Sequence, residues 1–320
     1  MIATLVLDSL RKGVTKGAET LAFFDLGTIF EYTFFQLAFV GGLCAAILCS
    51  ILGVFIVLRR ASLIGEGVAH LSFGGIALGL FLAIYPLYTA LVLALVGTLA
   101  ISFLQRRRIV YPETAIGLVI AFGLSVGAVL ASLAGGFSVD LFGYLFGSIL
   151  TISPADLQLI LLLTIVSASF VLIYFKELMY LTFDEQGARL SGIPVFWFDL
   201  AFNVLVAMTV VVSIKIVGSL LVSALLIIPA ASAMQLSKSF KGTAISAIIL
   251  AIFAVTAGLM ISFFYSIASG GAIVLTSLAI FVICAVAKRA LRLGRSTVAP
   301  DVTCAHGPQE TGTDSERTAP

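Results

Sequence analysis

The stretch Leu157–Phe175 reads LQLILLLTIVSASFVLIYF and contains no charged residue. Its apolar residues fall on every face of a helix, whereas a membrane β-strand would alternate apolar and polar residues over about ten positions. A helix rises about 1.5 Å per residue, so a stretch of this length crosses the roughly 30 Å hydrocarbon core of a bilayer. The stretch therefore predicts a membrane-spanning helix.

The rest of the chain repeats this pattern. Apolar residues make up 61% of the 320 residues and charged residues only 11%, which leaves too little polar surface to cover a soluble globule. The net charge of +2 gives no reason to expect a nucleic-acid partner. We predict an all-α, polytopic helix bundle in a lipid membrane, with about nine spans and limits of eight and ten, over 34–58, 67–84, 87–104, 114–134, 155–175, 195–214, 216–234, 243–264 and 271–287.

Basic residues mark one end of most predicted spans. Lys and Arg concentrate in the loops on the cytoplasmic side of a membrane. Nine spans would place on that side the C-terminus and all of the following groups: Arg59-Arg60, Arg106-Arg107-Arg108, Lys238 with Lys241, and Lys288-Arg289. Arg11, Lys12 and Lys16 would then lie outside, so either the N-terminal segment departs from this tendency or one span is miscounted.

The spans divide the chain into three parts. Residues 1–33 mix apolar and charged residues and predict an amphipathic lead-in, and 34–288 form the transmembrane domain. Residues 289–320 form a cytoplasmic tail, which we expect to be disordered because it is rich in Thr, Pro, Gly and acidic residues from Ser296 onward. Cys304 and His306 in this tail could touch a metal ion, but two residues in a flexible segment are weak evidence of a site.

Glu66 and His70 are the most informative ionisable pair in the apolar segments. A spacing of four puts both on one helix face, and an ionisable group within hydrocarbon is costly unless it faces a cavity or a partner. A carboxylate oxygen and an imidazole nitrogen one turn apart form half of a site for zinc, manganese or iron. The alternative is that Glu66 lies at the interface near Arg59 and Arg60, while His70 hydrogen-bonds a neighbouring helix.

Two other charged residues are candidates for the outer mouth of a pathway. Lys215 separates two apolar runs, and it either borders such a mouth or snorkels to the lipid interface, which is the simpler explanation. Asp140 lies in the predicted outer segment 135–153. Its carboxylate either meets an incoming cation or is solvated.

The chain lacks a nucleotide-binding loop of the G-x-x-x-x-G-K-[ST] type, so any ATP-driven work must come from a partner. Two cytoplasmic segments are candidates to receive one. Phe183–Pro194 has a capping-type start and a Gly-Ile-Pro end, which predict a short amphipathic helix. In the second segment, from Ile228 to Lys241, Pro229 and the small residues after it would bend the end of a span along the membrane surface. Both segments read equally well as ordinary loops.

Four groups of motifs follow one another along residues 34–288. They are Leu58-Arg59-Arg60 with the segment Gly65-Glu66-Gly67-Val68-Ala69-His70 through Gly75; Glu113-Thr114-Ala115-Ile116-Gly117; Asp140-Leu141 with Tyr144-Leu145-Phe146-Gly147 and Ser153-Pro154-Ala155-Asp156; and Val217-Gly218 through Pro229-Ala230-Ala231, with Ser269-Gly270-Gly271 further on. In this order they resemble the permease subunits of the zinc and manganese ABC importers, the ABC-3 family. Some zinc permeases of Gram-negative type carry a histidine near the position of Ala121-Phe122, and its absence here removes one candidate zinc ligand. Three segments look more like the zinc permeases of Gram-positive bacteria: Ser72-Phe73-Gly74-Gly75, Leu181-Thr182-Phe183-Asp184-Glu185 and Ser269-Gly270-Gly271.

The resemblance implies a type II importer half of the vitamin-B12-transporter kind, in the plasma membrane of a prokaryote. It implies a homodimer that works with two ABC ATPase subunits and an extracytoplasmic metal-binding protein. It also implies that Glu66 and His70 lie along the metal pathway. The ATPase would couple mainly through Pro229, Ala230, Ala231, Lys238 and Lys241, with Asp184, Glu185 and Gly192 as a secondary contact.

We therefore expect a permease subunit of an ATP-driven importer for a divalent metal ion, with zinc favoured over manganese or iron. It would not be an enzyme, would hold no cofactor tightly, and would use ATP only through its partner subunit. Two alternatives remain at this point: a secondary metal transporter or channel without an ATPase partner, and a membrane scaffold that transports nothing.

Overall fold

The structure is a computed structural model that describes residues 32–107, 110–134, 139–148, 152–237 and 239–295, with the backbone alone for 139–140 and 290–295. These residues form helices and no strand, in agreement with the predicted fold class. In chain order the helices are α1 (Thr33–Leu58), α2 (Ser62–Phe81), α3 (Pro86–Arg106), α4 (Pro112–Leu133), α5 (Val139–Phe146), α6 (Pro154–Ile173), α7 (Phe175–Phe183), α8 (Glu185–Leu190), α9 (Val195–Val217), α10 (Val222–Leu236), α11 (Phe240–Tyr265) and α12 (Ser269–Arg295).

The two ends of the bundle differ in composition. At one end, which we call the basic end, Arg59, Arg106 and Arg189 line one cavity. At the other end, which we call the glycine end, Gly147, Gly218 and Gly270 bring α5, the turn after α9 and the start of α12 into backbone contact. Gly218 has a φ of 90°, and a Cβ there would overlap the Leu145 carbonyl oxygen. Both the space and the backbone conformation therefore require glycine at this turn.

The contact among Gly147, Gly218 and Gly270, which we call the glycine junction, lies deeper in the bundle than the end of α1 at Thr33. The Ile216 side chain is 3.2 Å from where a Cβ on Gly41 would stand, and it also faces Gly42. Because these glycines come two turns after the start of α1 at Thr33, Ile216 lies about 12 Å inside that end. The turn between α9 and α10 is thus within the depth of the bundle.

Eight of the described helices are long and apolar enough to cross a membrane: α1, α2, α3, α4, α6, α9, α11 and α12. This number lies within the predicted limits. The predicted seventh span is α10, which has only 15 residues and measures about 22 Å. It nevertheless runs from the glycine junction to the basic end, where Ala230 and Ala233 pack with Val54 of α1. The described chain therefore passes nine times between the two ends, once by a helix too short to span.

Helices α1, α2 and α9 occupy the interior, since 67%, 67% and 78% of the residues in the apolar 18-residue stretch of each helix are buried. Most of their residues are apolar, which suits a helix surrounded by other helices, and the few ionisable residues on α2 and α9 are described below. The peripheral helices α3, α4, α6, α11 and α12 bury only 28–33%. Their remaining faces are the surfaces available to lipid or to another protein.

Helix α2 begins earlier than predicted, at Ser62 and not at 67. Gly65 and Gly67 do not interrupt it, because their bare backbone packs against Leu226 and Ile116. Further along, a Cβ on Gly123 of α4 would lie 2.6 Å from the His70 carbonyl oxygen. This close approach, which only small residues permit, fixes the height of α4 against α2.

Candidate functional site

One narrow stripe of α2 is accessible, and it carries the predicted ionisable pair. The stripe occupies the first half of the helix: Leu63 is 44% exposed, Glu66 and His70 follow it with partial exposure, and residues 71–77 are all buried. Most of the other residues of the helix are buried. The stripe follows the three-to-four residue spacing of one helix face.

His70 Nε2 lies 3.8 Å from Glu66 Oε1. The His70 side chain is 15% exposed and the Glu66 side chain 46%, so the pair opens from the helix packing toward the surface of this copy. His70 Nδ1 is buried and has no hydrogen-bond partner among the described residues. The two facing atoms, an imidazole nitrogen and a carboxylate oxygen, are ligands that borderline divalent metals accept.

A single copy supplies only these two ligands at this place. Among the described residues, no group of three or more His, Cys, Asp and Glu side chains could hold a metal ion. Structural metal sites usually need four ligands, and transit sites bind more loosely. Two ligands are fewer than such a site needs, so a metal site here would require further ligands from water or from a second copy of the chain.

Lys215 does not lie at a lipid interface, contrary to the simpler sequence-based explanation. Its side chain is 8% exposed, and its Nζ is 3.3 Å from Oδ2 of Asp156, which is 1% exposed. The ammonium group also lies 4.6 Å from the centre of the Tyr144 ring. The physical reason is the depth of the glycine junction beside it, where a charge must find a partner within the protein.

Asp156, which pairs with Lys215, was quoted in the sequence analysis only as part of a motif and was not predicted as a site residue. Its Oδ2 accepts hydrogen bonds from the Ser153 backbone N–H at 2.8 Å and the Ser153 hydroxyl at 2.9 Å, and its Oδ1 accepts one from the Tyr85 hydroxyl. Burial, together with this hydrogen bond, raises the pKa of Tyr85, so the neutral phenol is the donor. The Ser-x-x-Asp capping box and a lone Lys in an apolar run were the signals that could have predicted the pair.

At the basic end, Arg59 closes α1 onto α9. Its Nη1 donates to Asp199 Oδ1 at 2.8 Å and its Nε to the Thr182 hydroxyl at 3.0 Å, while its Cζ lies 4.6 Å from the centre of the Phe202 ring. Burial lowers the pKa of Arg59, and Asp199 opposes that effect; an arginine remains charged near neutral pH in either case. The cavity of about 1160 Å³ beneath it is also lined by Arg60, Glu113 and Glu185.

The first predicted coupling segment contains the expected short helix. Asp184 caps α8 by accepting a hydrogen bond from the Gly187 N–H at 2.8 Å, and Glu185 pairs with Arg189 at 2.6 Å. Gly192 ends the segment with a φ of 82°. Leu190 is 90% exposed, so α8 presents an apolar side chain at the basic end with no cover from this copy.

The second predicted coupling segment requires a correction. Helix α10 continues through Pro229 to Leu236 and does not bend there along a membrane surface. Pro229 and Ala230 are buried, and Ala231 is partly buried, because α10 packs against α1 and α12 along its length. The exposed part comes later, at Lys241 in the first turn of α11.

Four predicted residues lie wholly or partly outside the described part of the chain. They are Lys238, Cys304 and His306, and the side chain of Asp140, whose backbone lies in α5. Where these side chains stand thus stays a matter of prediction.

Comparison with known proteins places this geometry in context. The sequence profile of the ABC 3 transport family matches residues 31–288. The chain is 32% identical to the high-affinity zinc uptake system membrane protein ZnuB of Haemophilus influenzae over 77% of this chain and 94% of that protein. It is 31% identical to the manganese import system permease protein ScaB of Streptococcus gordonii over 79% and 91% of the two chains.

A solved structure shows the same fold. A chain of PsaBC from Streptococcus pneumoniae, determined in complex with Fab, aligns with a TM-score of 0.75 and 30% identity, over 84% of this chain and 98% of that one. All-helical architecture and the order of the helices are therefore shared with an ABC permease.

Proposed function

The chain belongs to the ABC 3 transport family, and from this premise we propose that it carries a divalent metal ion, zinc in preference to manganese or iron, as the membrane subunit of an ATP-driven importer. The observation that carries the proposal is the accessible stripe of α2. It brings an imidazole and a carboxylate within 3.8 Å of each other on an otherwise buried helix. Ionisable residues within membrane helices commonly mark the pathway of an ion or substrate.

The preference for zinc follows from the ligand types. Imidazole nitrogen suits zinc and iron, whereas manganese favours sites made mainly of oxygen. The relatives include one named for zinc and one named for manganese, so family membership alone does not decide the metal. His70 tilts the choice toward zinc.

We propose that two copies place their α2 stripes face to face across the pathway. Glu66 and His70 of each copy would then offer two carboxylates and two imidazoles to one ion. Glu66 keeps 46% of its side chain exposed in one copy, so it can meet the ion while water still completes the shell. Binding through a few mobile ligands is strong enough to admit the ion and weak enough to release it.

We propose that the basic end faces the cytoplasm and receives the ATPase subunits. The two exposed segments there lie next to each other, since the Phe183 and Phe240 rings are 5.9 Å apart. Phe240 also contacts Phe55 of α1, with ring centres 5.2 Å apart. A push on α8 or on the start of α11 is thereby passed through these rings to α1, which supports alternating access driven by ATP binding at the partner.

Metal uptake in cells tests the proposed pathway. Glu66→Gln and His70→Gln keep the size of each side chain but remove a charge or a strong ligand. We expect each to lower zinc uptake about ten-fold or more, since losing a group that only hydrogen-bonds a metal ligand already costs about 10–100-fold, with Glu177→Gln on α7 as a control that stays at the wild-type rate. Zinc, manganese and iron are measured together at matched expression.

Two results would contradict the proposal. Unchanged uptake of all three metals in the Glu66→Gln, His70→Gln double variant would remove the pathway role. Uptake that persists when the partner ATPase carries an inactivated nucleotide site would instead favour a secondary transporter or channel.

A further inference from the structure

The outward face of α3 is an apolar stripe that ends on two arginines. Tyr88, Val92, Val96, Leu99 and Phe103 follow one another at helical spacing and are each 50–61% exposed. The opposite face of α3 is buried against α2 and α9. Such a face, in a helix that crosses the membrane, is the one that meets lipid.

A groove of about 640 Å³ lies between this stripe and α9. Its walls are Leu99, Phe103, Phe196 and Leu200, with Ser102 between them, and Arg106 and Arg107 stand at its basic end. The groove is thus apolar along the membrane and cationic where the membrane meets water.

Aromatic rings hold both guanidinium groups at the mouth of the groove. Arg106 Cζ lies 4.1 Å from the centre of the Phe196 ring, and Arg107 Cζ lies 5.5 Å from that of Phe103. Contacts of this kind orient a guanidinium without neutralising it.

Neither of these arginines has a carboxylate within 4 Å among the described residues, unlike Arg59 and Arg189. The last carbonyls of α3 compensate only a fraction of one charge. Within the part of the chain that the structure describes, no carboxylate therefore pairs with either guanidinium at the mouth of the groove.

We propose that an anionic phospholipid occupies this groove. One acyl chain lies along Leu99, Phe103 and Leu200, and the phosphate lies between Arg106 and Arg107. A free phosphate would satisfy the arginines but leave the groove empty, and a neutral lipid would fill the groove but leave the arginines without a net negative charge. Basic pockets between membrane helices bind anionic headgroups in this way.

Trp197 marks the depth of the headgroup. It is 66% exposed, its ring centre lies 5.5 Å from that of Phe196, and exposed Trp side chains favour the membrane interface. It is also the only tryptophan of the chain. Its fluorescence therefore reports on the membrane surface beside this groove, with no contribution from another tryptophan.

Quenching by brominated lipids tests the proposal with the full chain in liposomes. At equal mole fractions, we expect phosphatidylglycerol with brominated acyl chains to quench Trp197 with a higher apparent affinity than brominated phosphatidylcholine. The ratio of the two apparent affinities should be at least about 5-fold, which is the gain that one lysine or arginine near an anionic headgroup supplies. Raising the salt concentration should reduce it.

Arg106→Gln with Arg107→Gln should abolish the preference, while Lys288→Gln with Arg289→Gln, which removes the same charge at the basic end of α12, should leave it intact. Equal quenching by the two lipids in the wild type would overturn the proposal, and this comparison requires no variant to fold. Weak quenching by both would place protein, a second copy or a partner subunit, over the groove and would also overturn it. Loss of the preference on adding inorganic phosphate at constant ionic strength would assign the arginines to a free anion instead.

Discussion

At the scale of single residues, the pair of Lys215 and Asp156 is the most deeply buried ion pair within the described part of the chain. The two charges have little contact with water, so each depends on the other. Removing one partner of a buried pair leaves an uncompensated charge, which costs about 3–5 kcal/mol.

We therefore predict that Lys215→Met lowers the free energy of unfolding by about 3–5 kcal/mol. Asp156→Asn should destabilise similarly, and the double variant should lose less than the sum of the two single losses. Denaturant unfolding in detergent measures all three. A Lys215→Met protein within about 0.5 kcal/mol of wild type, the range of ordinary surface changes, would contradict the buried pairing.

The sequence predicted the pair of Glu66 and His70 and missed the pair of Lys215 and Asp156. Glu66 and His70 lie four apart on one helix, so their spacing alone placed them together. Lys215 and Asp156 lie on different helices, and only the packing of α6 against α9 brings them into contact. Pairing across helices depends on tertiary structure, which no local pattern encodes.

At the scale of helices, the contact between α2 and α4 depends on a missing side chain. Gly123 lies against the backbone of His70 and Leu71, and the same helix carries Gly117, around which a Cβ would find nothing within 4 Å. The two glycines thus form a matched pair of test positions.

We predict that Gly123→Ala destabilises the protein and reduces metal uptake, because its Cβ would stand 2.6 Å from the His70 carbonyl oxygen and force the helices apart. Overpacking of this kind costs about 1–3 kcal/mol. Gly117→Ala should be neutral or stabilising, since alanine is the better helix former. Thermal unfolding and uptake of the two variants, measured side by side, check the difference; equal behaviour would mean that the close approach has no effect.

The long apolar runs of the sequence predicted which segments form helices, but they predicted the ends of those helices less well. The spans are long apolar runs, and α1, α3, α4, α6, α9, α11 and α12 lie where these runs do. The predicted start of α2 at 67 was too late, because the helix already begins at Ser62, where Gly65 and Gly67 pack against neighbouring helices. Pro229 was expected to bend the end of the seventh span along the membrane surface, but the helix continues through it to Leu236.

At the scale of the whole molecule, the exposed surface of the basic end is the proposed contact with the ATPase subunits. Leu190 is 90% exposed on a helix that Asp184 and Arg189 otherwise make polar. A large apolar side chain at that exposure favours an interface.

We predict that Leu190→Glu, and separately Lys241→Glu, reduces copurification of the ATPase subunit at least several-fold while the permease remains folded. The first change removes an apolar anchor and the second reverses a charge on the neighbouring segment. Arg289→Glu on α12 is the control. Copurification at the wild-type level in both variants would move the ATPase contact elsewhere.

The order of motifs along the chain predicted the family, because each motif reports a fixed place in a shared fold. The number of copies in the assembly leaves no such mark in one sequence. One copy brings together two candidate metal ligands on α2. Completion of the site by a second copy therefore stays a proposal.

The short helix α10 has a consequence for how the glycine end can move. Non-helical backbone at membrane depth must be shielded from lipid, and the turn after α9 meets this need by donating from Ser219 to Tyr144 at 2.9 Å and from Leu220 to Leu145 at 3.2 Å. Ser148 donates in return to Lys215 at 3.3 Å. Separating α5 from this turn would strand these groups in hydrocarbon, so the two segments form one mechanical unit. In hydrogen exchange, the amides of Ser148, Ser219 and Leu220 should open together, with one common rate.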